Sequence, residues 1–242
     1  MDLGKQTIAL AWRMKLSPWA TTKNNQKIYR SILIRLVTAS LFLLVPLASA
    51  SNDLPYYNDE AFSPIWLAPN SPELSNFHRI PEFSFTDQNG DTVTQETFEG
   101  KIYVAGFFFS TCPGICPSVR SKLKKVQAAF IDDPNVKIVQ HSIRPTTDTI
   151  EVLQTYAKQN EIDGDKWYLL TGDKKKIYDL AKSAYFASED LGNIQNTNDF
   201  LHTESLLLID QNRHIRGIYN GLNSASVDYL IADIKALNSE NM

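Results

Sequence analysis

The unbroken apolar run from Ile102 to Phe109, in "KIYVAGFFF", constrains the fold of this chain more than any other feature. A strand with one wet face alternates apolar and polar residues. A strand without alternation is buried on both faces, so its sheet must be covered on both sides. The period then changes. Val119, Leu123, Val126 and Phe130 fall at i, i+4, i+7 and i+11, one face of a helix, with Arg120, Lys122, Lys124 and Lys125 on the solvated remainder. "DDPN" breaks that helix and "VKIVQHSI" reads as the next strand. Asp148-x-x-Glu151 has the form of a capping box opening the helix "DTIEVLQTYAKQN". "KWYLL" is a short strand, and Gly172 precedes a helix carrying Ile177, Leu180, Ala181 and Ala184. The lysine run 174–176 is a second solvated face.

A polar, acidic loop, 187–200, leads to "SLLLID" and "IRGIYNG", a hairpin turning at Gln211-Asn212-Arg213. Val227, Leu230, Ile231, Ile234 and Leu237 define a closing helix. Upstream, Phe83 and Phe85 alternate with polar residues and Asn89-Gly90 signals a tight hairpin. Strands alternating with helices, then a hairpin and a helix, predict an α/β sandwich around a mixed sheet. Residues 78–242 form this domain, about 165 residues being enough for one normal core. Residues 51–77, with Pro55, Pro64, Pro69 and Pro72 and no clear period, read as an extended arm whose Trp66 and Leu67 dock on the core.

Charge separates the N-terminal part from the rest. Residues 1–50 carry seven basic side chains against Asp2, a net of +6, within a chain of net −3, so residues 51–242 carry −9. An acidic body argues against nucleic acid, which needs a basic face. "LVTASLFLLVPLASA", residues 36–50, is an uncharged apolar run that follows basic residues and ends in Ala48-Ser49-Ala50. That order is a secretory signal, or a retained anchor, although the run is shorter than the ~20 residues of a spanning helix. Either reading makes the N-terminal segment the sole contact with a membrane. It also places the body outside the cytoplasm, in the bacterial periplasm or anchored in the inner membrane facing it, where disulfides persist.

Cys112 and Cys116 are the only cysteines and lie in "FFFSTCPGICPS", where the buried strand meets the helix. A thiol there faces the positive end of a helix, which favours thiolate. Pro113 and Pro117 suit a first turn, where the missing N–H is not needed. If both cysteines lay on a regular helix, their Cβ atoms would be about 5–6 Å apart. A disulfide asks for about 3.5–4.5 Å, so a shared metal would bridge them more easily. Two thiolates select a soft ion, and no other cysteine exists to close a four-ligand zinc site. Met1, Met14 and Met242 lie at the chain ends, which leaves His78, His141, His202 and His214 as further donors. Two thiolates and one imidazole make a three-coordinate site that suits Cu(I). His202, in "DFLHTESLLLID" between a loop and a strand, is the best placed by the rule that sites form on loops at strand ends. From the residues alone a metal clamp, a redox couple and a plain disulfide stay open.

"CPGICP" resembles the CPxxCP signature of the Sco/SenC family, and "FLHTESLLLID" is similar to the family's later histidine segment. "HRIPEFSFTDQNGDTV", "RPTTDTIEVLQTYA" and "WYLLTGDKKKIYDLAKSAYF" also look like family segments, in family order, so the resemblance runs from about residue 60 to the end. It implies a thioredoxin-like three-layer sandwich with an N-terminal hairpin and insertions. It implies copper, as Cu(I) or Cu(II), held by Cys112, Cys116 and His202. The implied role is a metallochaperone that helps assemble the copper site of cytochrome c oxidase. Its partners would be the copper-bearing oxidase subunit and a thiol reductant or another copper chaperone. The alternative is a thiol–disulfide reductant with Cys112 and Cys116 as the redox pair, as is argued for some members. Gly114 stands where an acidic residue is frequent in the family, and Ile150 replaces a proline common after the Asp-Thr pair. There is no proline in "FLHTESLLLID", where thioredoxins have a cis-proline, and this weakens the reading as a general disulfide oxidase.

Overall fold

Three parallel strands and an antiparallel pair share one sheet, in a computed structural model that describes residues 54–187 and 204–239. The strands are β3 (Ile102–Phe108), β4 (Val136–Ser142), β5 (Trp167–Leu170), β6 (Ser205–Ile209) and β7 (Ile215–Asn220), in spatial order β5-β4-β3-β6-β7. A separate hairpin, β1 (Ser84–Thr86) and β2 (Thr92–Thr94), precedes them. The helices are α1 (Cys116–Ala129), α2 (Ile150–Gln159), α3 (Lys174–Ala184) and α4 (Ser224–Ser239). The leader expected over residues 1–50, most of the 187–200 loop and His202 lie outside the described residues.

β3 is buried along its whole length, as its composition predicts. Parallel neighbours must be joined by crossovers of one hand. β3 to β4 and β4 to β5 step in the same direction, so α1 and α2 fall on the same face. Val119, Leu123 and Val126 of α1 and Leu153 of α2 meet Ile102, Val104 and Phe108 there, with α4 completing the layer. The other face carries Tyr103, Ala105 and Phe107 and is covered by α3, by Phe85 of the hairpin and by Phe83 just before it. The result is the thioredoxin-like three-layer sandwich around a mixed sheet, with the N-terminal hairpin forming part of one outer layer.

The hairpin also protects a sheet edge. Gly90 takes the left-handed conformation (φ +88°) that the turn demands, and the preceding Gln88 reaches across to β5. Its amide donates to Trp167 O (2.9 Å) and accepts from Leu169 N (2.8 Å), pairing edge backbone groups that would otherwise invite another strand.

Two local expectations fail. Thr149, not Asp148, caps α2, accepting from Val152 N. Asp148 is fully buried and turned inward. Trp66 is 64% exposed, so it does not dock. Tyr56 takes that role: its backbone pairs with Ile65, and its buried ring lies under the Arg216 guanidinium at 4.0 Å. The Arg216 head, itself buried, donates to Leu54 O and Pro55 O and pairs with Asp210, latching the arm to β7. No helix among the described residues is long and apolar enough to cross a membrane.

Candidate metal centre

The site begins where β3 runs out. Phe107, Phe108 and Phe109 are all buried, so the chain leaves the sheet from a rigid base. It then turns through Ser110 and Thr111 and reaches Cys112 before any helix has started. Cys116 is the first residue of α1, and Pro117 sits in the first turn. Ile115, at the N-cap position, has no side-chain cap to offer. The helix start therefore has N–H groups seeking an acceptor. Cys112 supplies it, taking hydrogen bonds from the backbone at Cys116, Gly114 and Ile115 and from the Cys116 thiol.

This arrangement makes the two thiols unequal. Burial pushes the Cys112 thiol up, but the four hydrogen bonds outweigh it and hold it below the ordinary thiol value. Burial also acts on Cys116, and there the proton given to Cys112 adds to it. Together they push Cys116 up to about 12, against a backbone hydrogen bond at Phe109. Both thiols are free and partly buried. The helical i, i+4 geometry assumed from the spacing is corrected here, because Cys112 lies outside α1 in a loop that folds back over the helix start. The regular-helix separation used to compare a metal bridge with a disulfide therefore does not describe this pair, both members of which are free thiols.

Around the pair lies a set of groups that sequence reasoning missed. Asp148 accepts from Ser110 N (3.2 Å to each oxygen), from Ser110 Oγ and from Ser142 Oγ. Tyr156 of α2 packs on Phe108, and its hydroxyl accepts from Arg120 Nη1 at 3.0 Å. Burial raises the Tyr156 phenol, opposed by Arg120, with smaller upward pushes from Cys116 and Asp148. An Asp ahead of a helical period reads as a cap, and nothing in the sequence says that it turns inward.

The opposite rim is the start of β6. β6 runs antiparallel to β3, with Leu207 opposite Ala105, so β6 begins at the edge where β3 ends. Gly221 N donates to Glu204 O at 2.8 Å. A Cβ on Gly221 would stand 2.9 Å from Glu204 O and 3.2 Å from Val119 of α1. Glu204 therefore stands beside the first turns of α1. His202 is two positions earlier.

The other histidines are engaged elsewhere. His141 is fully buried among Phe83, Phe85, Phe107 and Tyr185, and burial depresses its pKa to about 3. His214 Nδ1 bonds to His78 O (3.0 Å), and His78 Nε2 to Ala184 O (2.8 Å). Among the described residues no three His, Cys, Asp or Glu side chains gather as a metal site. The dithiol alone offers soft donors, and two thiolates fit a soft ion such as Cu(I).

The family model described as SCO1/SenC matches residues 72–239. The structure is similar to a SCO1/SenC family lipoprotein from Bacillus anthracis str. Ames, at 28% identity and TM-score 0.60, covering 66% of this chain and 95% of that one. It is similar to BsSco, a member of the Sco family of cytochrome c oxidase assembly proteins in which a disulfide switch was identified. That match has 25% identity and TM-score 0.57 over 66% and 93% of the two chains. The fold also matches Bradyrhizobium japonicum ScoI, solved with copper bound, at 24% identity and TM-score 0.53 over 65% and 98%.

Proposed function

The chain belongs to the SCO1/SenC family, and from that premise we propose that it carries copper for the assembly of cytochrome c oxidase. Cys112 and Cys116, as thiolates, and His202, as a neutral imidazole, hold Cu(I) and pass it by ligand exchange to the copper-bearing oxidase subunit. The observation that carries this reading is the dithiol: two free, partly buried cysteines at a strand-to-helix junction, where the backbone at the helix start favours the Cys112 thiolate. His202 is assigned by its segment and by the start of β6 at the same edge as the cysteine loop. The body works outside the cytoplasm, brought there by residues 1–50.

The test is anaerobic Cu(I) titration of the reduced protein against a chromophoric chelator, with His202→Ala alongside. One tightly held Cu(I), lost or greatly weakened in the variant, is the expected result. Equal binding by the variant overturns the ligand set.

The inequality of the thiols supports a second reading, thiol–disulfide reduction. The Cys112 thiolate attacks a partner disulfide, forming a mixed disulfide and releasing one partner thiolate. Cys116 then gives up its proton and attacks Cys112 Sγ, releasing the second. The protein loses two electrons and the partner gains them. His202 is needed for copper and not for this exchange, so the same variant separates the two.

A further inference from the structure

Asp148 is a buried carboxylate that forms no ion pair among the described residues. Burying a carboxylate is costly unless its oxygens are hydrogen-bonded, and here four contacts do so. Two come from Ser110 N and one each from the Ser110 and Ser142 hydroxyls. The Ser110 N–H is one donor shared between the two oxygens, so three donors satisfy the carboxylate, and two of the three belong to Ser110. Ser110 is the second residue past β3 and two before Cys112. Asp148 belongs to the turn between β4 and α2, a different part of the chain. A charge-assisted bond holds its partner more firmly than a neutral one. The carboxylate therefore ties the root of the cysteine loop to the rigid end of β4, where Ser142 also donates to it.

We propose that Asp148 is a positioning residue for the dithiol: through Ser110 it fixes the loop that lays Cys112 over Cys116 at the start of α1. Without that tie the root of the loop loses its side-chain anchor, and Cys112 is free to shift relative to the start of α1. The consequence for copper rests on the proposed ligand role of the cysteines. The consequence for thiol chemistry does not.

The experiment compares wild type, Asp148→Asn and Ser110→Ala in the full chain. Asp173→Ala is the control; it removes the α3 N-cap, which accepts from Lys176 N, and has no link to the loop. Three quantities are read on folded protein: thermal midpoint, Cu(I) affinity by chelator competition, and the pH profile of Cys112 reaction with a small disulfide. Groups that orient metal ligands typically change affinity 10–100-fold when removed. Asp148→Asn is expected to weaken Cu(I) binding about 10-fold or more and to move the Cys112 profile to higher pH. Asp173→Ala is expected to lower the midpoint and leave both site readouts within about 2-fold of wild type. If Asp148→Asn does not fold, Ser110→Ala, which removes the hydroxyl contact, the shorter of the Ser110 contacts, decides: a shift of the Cys112 profile upholds the role, and a wild-type profile overturns it. An Asp148→Asn protein that is folded and has a wild-type profile overturns it outright. Should wild type bind no copper, the copper reading fails, while the Cys112 profile still tests Asp148.

Discussion

Replacing Cys116 with alanine tests the inequality of the thiols at its source. The Cys116 S–H is one of four hydrogen bonds that favour the Cys112 thiolate. A hydrogen bond to a charged group contributes about 1.5–3 kcal/mol. Cys112 is open to solvent on one side, so the lower end applies, equivalent to about one pKa unit. Cys116→Ala should therefore raise Cys112 by about one unit, while Cys116→Ser, which keeps an O–H donor, should raise it less. Well below both pKa values the thiolate fraction falls roughly tenfold, but each remaining thiolate is more nucleophilic, by about 0.4–0.5 log units per pKa unit. The net is a rate of disulfide attack about 3–4-fold slower than wild type.

Above both pKa values only the nucleophilicity difference remains, and the variant becomes about 3-fold faster. Crossing pH–rate curves are thus the signature, with the serine variant lying between. The assay is the pH dependence of reaction with a small symmetrical disulfide, with modification of Cys112 confirmed by mass. A variant curve that coincides with wild type, or lies to its acid side, would refute the reasoning. In that case the thiolate is supported by the helix-start N–H groups alone.

Three further outcomes follow from the described geometry. His141 is neutral when folded, with a pKa of about 3 against an ordinary 6.5. Only the unfolded chain gains the proton between these values, so stability is lost as pH falls from 6.5 towards 3. His141→Phe should remove about 2 kcal/mol of that loss at pH 5 and none at pH 7.5, read by urea denaturation at both. Arg216→Met leaves buried Asp210 without its cation and the Leu54 and Pro55 carbonyls without their donor. It should cost about 3–5 kcal/mol, and limited proteolysis should cut earliest in the 54–77 arm. Gly221→Ala forces a Cβ against Glu204 O and Val119. It should weaken Cu(I) binding by about tenfold or more with little change in Cys112 reactivity, since it displaces the start of β6 and not the cysteine loop.

The sheet was legible because its central strand is apolar on both faces, and such a run has few other homes. The helix faces followed from the spacing of Val119, Leu123 and Val126, all buried as read. The cysteine pair was legible for a chemical reason, since two lone thiols at a strand end are rarely accidental. What stayed hidden was direction. Asp148 and Thr149 are adjacent and both can cap a helix; tertiary packing, not local propensity, sends one to the helix and the other into the core. Cys112 and Cys116 have helical spacing, yet the helix starts at the second of them, because Cys112 serves the exposed N–H groups as an acceptor. Trp66 and Tyr56 are both aromatic residues of a proline-rich arm. Only the buried Arg216, about 160 residues away in sequence and offering a cation over a ring, selects Tyr56.

The dithiol geometry does not by itself separate copper carriage from thiol exchange, because both begin with the same thiolate. They part at Cys116. As a resolving thiol it must lose a proton held to about 12, and it does so only when Cys112 has become a neutral mixed disulfide that no longer accepts from it. As a metal ligand it loses the same proton to a cation arriving at Cys112, whose charge reverses the electrostatics that kept the proton in place. Two thiolates leave Cu(I) one donor short of a three-coordinate site. A third donor completes that site, whereas exchange with a partner disulfide needs an accessible Cys112 and no third donor. The proposed third ligand, His202, is therefore where the two functions part: copper carriage needs it and thiol exchange does not.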